Sequence, residues 1–432
     1  MIKFIAALTQ RFARAPSKRK PQVRRQVVEA ISEEAIPFLL QPLEGVETFA
    51  IGFSFSGGMA HDSEDSPLTS MSAPKALIEA AMRRTHHQLA EQLKDLHADF
   101  VLKSEVEAVV GYVTGPLANI KEIVGLSKDV LTCVEIPTQV LEDVKRLLAD
   151  QIREQACDVD TKAQEVFLSA LCEPHPYTHA LMPDVRRIEQ ISHADITNWI
   201  KNNIVLSRLQ ICIVGDLQVS TAGELIDLLF DSLPMGASRD NLPQVQFLES
   251  PKEPLFLQHG GEPQAFVGIG GKSASASRPS DWLAVRMLAH ALAGDEKSRL
   301  FREIRDNEGA TYGLNYRFDF FSSAGFFVVF GSVSKQRLAE VLSALRKSVQ
   351  IFMENGPTEK EQRSARDEFL RQLEQLDRSV VELAYQLTTL RLFGWSANDI
   401  NAIEDMASTL SLSDKRYLRM LMPEDPIVVV VN

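Results

Sequence analysis

The sequence predicts an α+β protein of two duplicated domains, each a mostly antiparallel sheet packed with helices. Three observations carry that prediction. A strand-like run ending in glycine opens each half, a Pro-Thr pair precedes a long amphipathic helix in each, and each half closes on an apolar strand. The matching points also keep a nearly constant separation, 220 residues from Pro137 to Pro357 and 219 from Ser192 to Ser411. A steady offset of this kind marks an internal duplication.

Taken in order, TFAIGFSFSGG (48–58) and QAFVGIGGKS (264–273) have the alternating or apolar pattern of strands. ADFVLKSEVEAVVGYVTG and ATYGLNYRFDFFSSAGFFVVFGSV are expected to supply the central hairpins. IPTQVLEDVKRLLADQI (136–152) and GPTEKEQRSARDEFLRQL (356–373) predict the long helices, the second opened by a Thr358/Glu361 capping box. ISHADITNWI (191–200) and LSLSDKRYLRML (410–421) repeat the capping spacing at Ser192/Asp195 and Ser411/Asp414, and LQICIVGDL and DPIVVVVN are the closing strands. The join lies in DSLPMGASRDNLPQVQFLESP, which is rich in proline, glycine and polar residues. The expected organisation is a basic arm over 1–28, an N-terminal domain over 29–232, a linker over 233–251 and a C-terminal domain over 252–432.

Composition narrows the functional classes. With 432 residues, 45% of them apolar, the chain exceeds what one ordinary core holds. Its net charge of -12 argues against nucleic acid as a partner, because phosphate binding needs a concentrated basic face. Cys133, Cys157, Cys172 and Cys212 have neither zinc-ribbon nor dithiol spacing and are expected to be buried free thiols. No run reaches the roughly 20 apolar residues of a membrane helix. The first 28 residues hold eight basic residues and no acid, with Ile2, Ile5, Leu8 and Phe12 at helical spacing. An organelle presequence, an amphipathic surface anchor and a solvated arm all fit that pattern. Its apolar stretch FIAAL is too short for a secretory signal, so cytoplasmic residence is expected ahead of periplasmic or organellar.

Several motifs are false leads. GIGGKS (268–273) ends like a phosphate loop, but Phe266 stands where the loop needs its first glycine, and a strand running into a lysine-containing loop is the better account. HPYTH spaces His175 and His179 as two ligands on one helical face, yet Pro176 interrupts them, and the stretch reads as a turn with surface histidines. HHQLAEQLKDLH, with His86, His87, Glu91 and His97, reads as a polar helix surface, since neither H-E-x-x-H nor H-x-x-E-H occurs anywhere. There is no G-x-S-x-G elbow. What remains is Arg305, near the end of a helical run interrupted near Gly294, and Tyr312, which opens the following strand; the two can point at one spot across the intervening turn.

At these residues the chain resembles a family. LAGDEKSRLFREIRDNEGATYGLNY is similar to the C-terminal half-motif of the M16 (pitrilysin, or inverzincin) zinc metallopeptidases. SGGMAHDSEDSP and the segment from EPHPYTH to VGDL resemble further M16 motifs, so the likeness covers nearly the whole chain. It implies an M16 peptidase-like fold, of the LuxS/MPP-like kind. In active members His-x-x-Glu-His holds zinc and supplies the base; here those positions fall on Ser70, Ala73 and Pro74, which do neither. Arg305 and Tyr312 match an Arg/Tyr pair whose guanidinium and phenolic O–H stabilise the oxyanion of peptide hydrolysis. The resemblance therefore implies the non-zinc subunit of a heterodimeric M16B-type metallopeptidase, inactive alone, supplying Arg305 and Tyr312 in trans. Zinc is expected on the partner, a subunit bearing His-x-x-Glu-His, with peptide or unfolded protein as substrate, added as a strand to a sheet edge. The alternative is a catalytically inactive M16-like scaffold or assembly protein.

Overall fold

A computed structural model describes residues 26–432 apart from 64, 85–87, 134, 157, 240, 259–263 and 306–310. The basic arm, Cys157, His86 and His87 thus lie outside the described residues, except that strand β1 already begins at Val28, inside the expected arm.

The first half runs β1 (Val28–Ile31), β2 (Pro37–Pro42), β3 (Thr48–Ser56), α1 (Thr69–Arg84), α2 (Gln88–Asp95), β4 (Asp99–Ser104), β5 (Ala108–Pro116), α3 (Ile120–Leu131), α4 (Thr138–Ala156), α5 (Val159–Leu171), α6 (Pro176–Leu181), α7 (Val185–Gln190), α8 (His193–Asn203), β6 (Leu209–Gly215) and α9 (Val219–Phe230). The second runs β7 (Leu255–Leu257), β8 (Gln264–Ser273), α10 (Pro279–Ala293), α11 (Arg299–Arg305), β9 (Thr311–Phe320), β10 (Gly325–Ser334), α12 (Leu338–Asn355), α13 (Glu359–Leu376), α14 (Val380–Leu392), α15 (Ala397–Asn401), α16 (Ile403–Thr409), α17 (Lys415–Leu421) and β11 (Ile427–Val431). The mixed α/β architecture with two antiparallel-rich sheets is as expected. One sheet is ordered β1-β2-β6-β3-β5-β4 and the other β7-β11-β8-β10-β9, and among the described residues only β2–β6 and β7–β11 pair in parallel.

Three local expectations need correction. The β4–β5 and β9–β10 hairpins lie toward one edge of each sheet, leaving β4 and β9 as edge strands; the centres are held by the opening and closing strands of each half. The Thr358/Glu361 and Ser192/Asp195 boxes form, but Ser411 does not cap: Asp414 itself accepts the Arg416 N–H and starts α17. The GIGGKS run is strand throughout, with Lys272 paired across to Phe326.

The two halves exchange helices. Strand β3 alternates bulky Phe49, Ile51, Phe53 and Phe55, which enter the first-half core, with small residues on its other face. That small face is covered by α14 from the second half, whose Leu383, Ala384 and Leu387 pack with Leu39, Ala50, Cys212 and Val214. Reciprocally, Ala163, Phe167, Leu168 and Leu171 of α5, from the first half, pack on Phe266, Ile427, Val429 and Val431 of the second sheet. Among the described residues, two hydrophobic clusters are therefore built from both halves of the chain and a third from the first half alone.

Close approach of α14 demands glycine at position 52. A Cβ there would lie 2.6 Å from Thr388 Oγ1 and 2.7 Å from the Ala384 carbonyl oxygen, and the carbonyl is helix backbone that has no rotamer to change. Gly52→Ala is expected to destabilise the chain by about 1–3 kcal/mol, the usual cost of overpacking. A denaturant titration showing wild-type stability would mean that α14 rides freely on the sheet. Cys133, Cys172 and Cys212 are buried free thiols, as expected, and burial pushes the Cys172 thiol up to about 11.

Candidate functional site

The positions that the resemblance assigns to the metal motif, Ser70, Ala73 and Pro74, lie in α1. Gly57, at φ 126°, and Gly58 lead out of β3; a Cβ on Gly58 would lie 2.2 Å from the Glu105 carbonyl oxygen. The chain then turns through His61 and Asp62 into α1. Asp62 accepts three hydrogen bonds from Ser70, two from its N–H at 3.2 and 3.1 Å and one from its hydroxyl at 2.8 Å. Ser70 and Ala73 have no exposed surface and Pro74 is buried, its ring removing the donor that would reach the Ser70 carbonyl. Serine engaged by a carboxylate, alanine and proline do not fit a zinc ion, so no chemical step runs through a metal held by these residues. Among the described residues no three His, Cys, Asp or Glu side chains are placed to hold one.

Electrostatics at this corner are unusual. Burial raises Asp62 to about 7 in spite of its bonds to Ser70 and the nearby Arg239. Burial, followed by the charges of Arg239 and Arg208, lowers His61 to about 4. Both guanidiniums donate to the Asn203 side-chain oxygen, Arg208 at 2.5 Å and Arg239 at 3.3 Å, and Arg239 also donates to the His61 carbonyl at 2.5 Å. The corner thus holds a neutral imidazole and a carboxyl that titrates near neutrality.

The Arg/Tyr end lies on other elements. Arg305 is the last described residue of α11 and Tyr312 the second described residue of β9, and residues 306–310 between them lie outside the described residues. Their side chains lie outside the described residues. The β9–β10 register shifts between Gly331, opposite Leu314, and Val333, opposite Thr311, so the irregularity falls at Tyr312 and Gly313. Bulges of this type occur beside active sites, where they re-aim side chains. The main contacts of α11 are with α10, α12 and β9, whereas α1 packs on first-half elements.

A carboxylate anchors α11. Glu361, 3% exposed, accepts from Arg299 Nε at 2.9 Å and its terminal nitrogen at 2.6 Å, and from Arg302 at 2.8 Å. Burial opposes its ionisation, yet the hydrogen bonds from Arg299 and Thr358 outweigh that and hold it below the usual range. The groove beside it, about 550 Å³, is lined by Arg299, Arg302, Ile351, Asn355, Pro357 and Glu361 among others.

The HPYTH stretch differs from its sequence reading. His179 is exposed, but His175 is 5% exposed and caps α6, accepting the Tyr177 N–H and meeting the Pro243 carbonyl at 3.0 Å. Pro176 occupies the first turn of that helix, where it starts the helix instead of breaking a face. Tyr177, fully buried, stacks on Phe321 with centroids 4.2 Å apart and donates to Glu107 at 2.6 Å; its hydroxyl also meets Ser323 at 2.7 Å. Glu107 accepts in addition from the Ser322 N–H at 2.9 Å and the Ser322 hydroxyl at 2.5 Å. This network, which residue spacing did not reveal, joins the β4–β5 turn and α6 to the β9–β10 turn of the other half.

Comparisons with known proteins bear on the fold and on residues 190–369. Residues 190–369 match the family described as Peptidase M16 inactive domain, a segment that includes Arg305 and Tyr312 and excludes Ser70. A "non-peptidase homolog YmxG" from Helicobacter pylori is 23% identical over 234 residues, 54% of each chain, so the match spans about half the length of that relative. A crystal structure described as a peptidase M16 inactive domain from Pseudomonas fluorescens superposes with a TM-score of 0.84 at 19% identity, covering 94% of this chain and 97% of that one. A chain of Complex III2 from Candida albicans superposes at 0.75 with 13% identity over 94% and 96%. Over residues 190–369, then, the chain is similar to the M16 inactive domain, and as a whole it has the fold of M16-type structures.

Proposed function

We propose that this protein is a catalytically inactive M16-type subunit that acts by association with other chains, as a scaffold or assembly protein. The observation that carries this reading is the filling of the metal positions by Ser70, Ala73 and Pro74, all buried and one already bonded to Asp62. The match to an inactive domain and the name of the non-peptidase relative support it.

A second, sharper reading rests on the resemblance at Arg305, on α11, and Tyr312, on β9. In it the chain meets a His-x-x-Glu-His subunit and lends Arg305 to bind the scissile carbonyl and Tyr312 to hydrogen-bond the tetrahedral oxyanion of a peptide substrate. The separate packing of α1 and α11 is compatible with a site completed only between chains. One experiment separates the two readings: reconstitute the chain with its His-x-x-Glu-His partner and compare Arg305→Ala and Tyr312→Phe. Loss of kcat by about 10²–10³ for Arg305→Ala, the usual consequence of removing an oxyanion donor, supports the shared site. Full peptidase activity in both variants, or none with the wild-type pair, leaves the scaffold reading alone standing.

A further inference from the structure

The described part of helix α11 has seven residues, and an isolated helix of that length is not stable in water. Its Leu300 is fully buried, but apolar burial is non-directional and leaves a short helix free to rotate or slide on its neighbours. The polar contacts remove that freedom. Arg299 reaches both oxygens of Glu361 as a fork, Arg302 reaches the first oxygen from the next turn, and Glu303 accepts from the Ser348 hydroxyl on α12. The Arg299 guanidinium also lies 5.2 Å from the Phe352 ring centre and 3.3 Å from the Gly356 carbonyl oxygen. Glu361 is itself fixed, since its second oxygen accepts the Thr358 N–H at 2.8 Å and hydroxyl at 3.0 Å in the α13 capping box. Behind it, α13 is locked into the core by Ala365, Phe369 and Leu373.

We infer that Glu361 is the positioning residue for the helix that ends at Arg305, fixing the rotation and depth of α11 through the paired guanidiniums of Arg299 and Arg302. Its effect on catalysis rests on the shared-site reading; its effect on α11 does not. Two variants of the full chain test it by hydrogen exchange. Glu361→Gln keeps the shape and an acceptor for Thr358 but loses the charge, and is expected to speed exchange of the 299–305 amides about tenfold while the β11 amides stay protected. Thr358→Ala removes the hydroxyl bond but keeps the backbone N–H on Glu361, its charge and both guanidinium partners, and is expected to leave 299–305 nearly unchanged. Wild-type exchange of 299–305 in Glu361→Gln, or equal acceleration in both variants, would overturn the inference. In the reconstituted pair Glu361→Gln should lower kcat by about 10–100-fold with KM nearly constant, as a displaced group does. Should Arg305→Ala leave kcat intact, the shared-site reading fails by itself, and the exchange result still decides what Glu361 does.

Discussion

Tyr177→Ala is expected to destabilise the protein by about 3–5 kcal/mol, the cost of deleting a fully buried aromatic ring. The ring lies between His175 and Phe321, with centroids 4.8 and 4.2 Å away, and its removal opens the core at the meeting of the two halves. The hydroxyl contributes separately. Burial and the Glu107 carboxylate hold the phenol protonated, so it is the donor to Glu107. Tyr177→Phe keeps the ring and leaves Glu107 with its two bonds from Ser322, and is expected to cost only about 1–2 kcal/mol. Denaturant unfolding of the two variants reads the difference directly. Equal losses would assign the stabilisation to the carboxylate network, and a small loss for Tyr177→Ala would mean that the halves hold together without this contact.

The second large effect is in pH dependence. Asp62 has a folded value of about 7, above the 3.8 of an ordinary aspartate, so the folded state binds more protons than the unfolded between those limits. Stability from this group is fully present below pH 3.8 and lost as pH rises through about 7. His61 is the opposite case, with a folded value of about 4 against 6.5, so its contribution grows as pH rises across that window. The two slopes oppose each other in wild type. Relative to wild type, Asp62→Asn should therefore gain stability with rising pH, by roughly 2–4 kcal/mol between pH 4 and 7 after solvent screening. His61→Gln should lose stability over pH 4 to 6.5, by about 1–3 kcal/mol. Unfolding curves at several pH values that run parallel for all three proteins would show that neither group is desolvated in the folded state.

Parts of the candidate site were readable from residue types. The sequence places Arg305 on a helix and Tyr312 on the following strand because apolar periodicity is a local signal. That Ser70, Ala73 and Pro74 are not zinc-ligand residue types was equally plain, since it depends on what those side chains are. The Glu361 clamp and the Glu107–Tyr177 network were not readable. Glu361 announced itself only as a capping partner of Thr358, and its second role requires Arg299, 62 residues earlier in the chain, to fold beside it. His175 was misread as surface because a proline between two histidines looks the same from sequence in a loop and in the first turn of a buried helix.

By itself the sequence determined the α+β class, the paired order of strands and helices, the Thr358 and Ser192 caps, and the absence of a zinc motif. Each of these follows from side-chain chemistry or from periods of a few residues. Only the tertiary structure decided that α14 covers the small face of β3, that α5 crosses to the second sheet, and that Tyr177 meets Ser323 from 146 positions away. Alternation in β3 states that two faces exist and that one is small; which helix fills the small one is set by shape and burial across the whole chain.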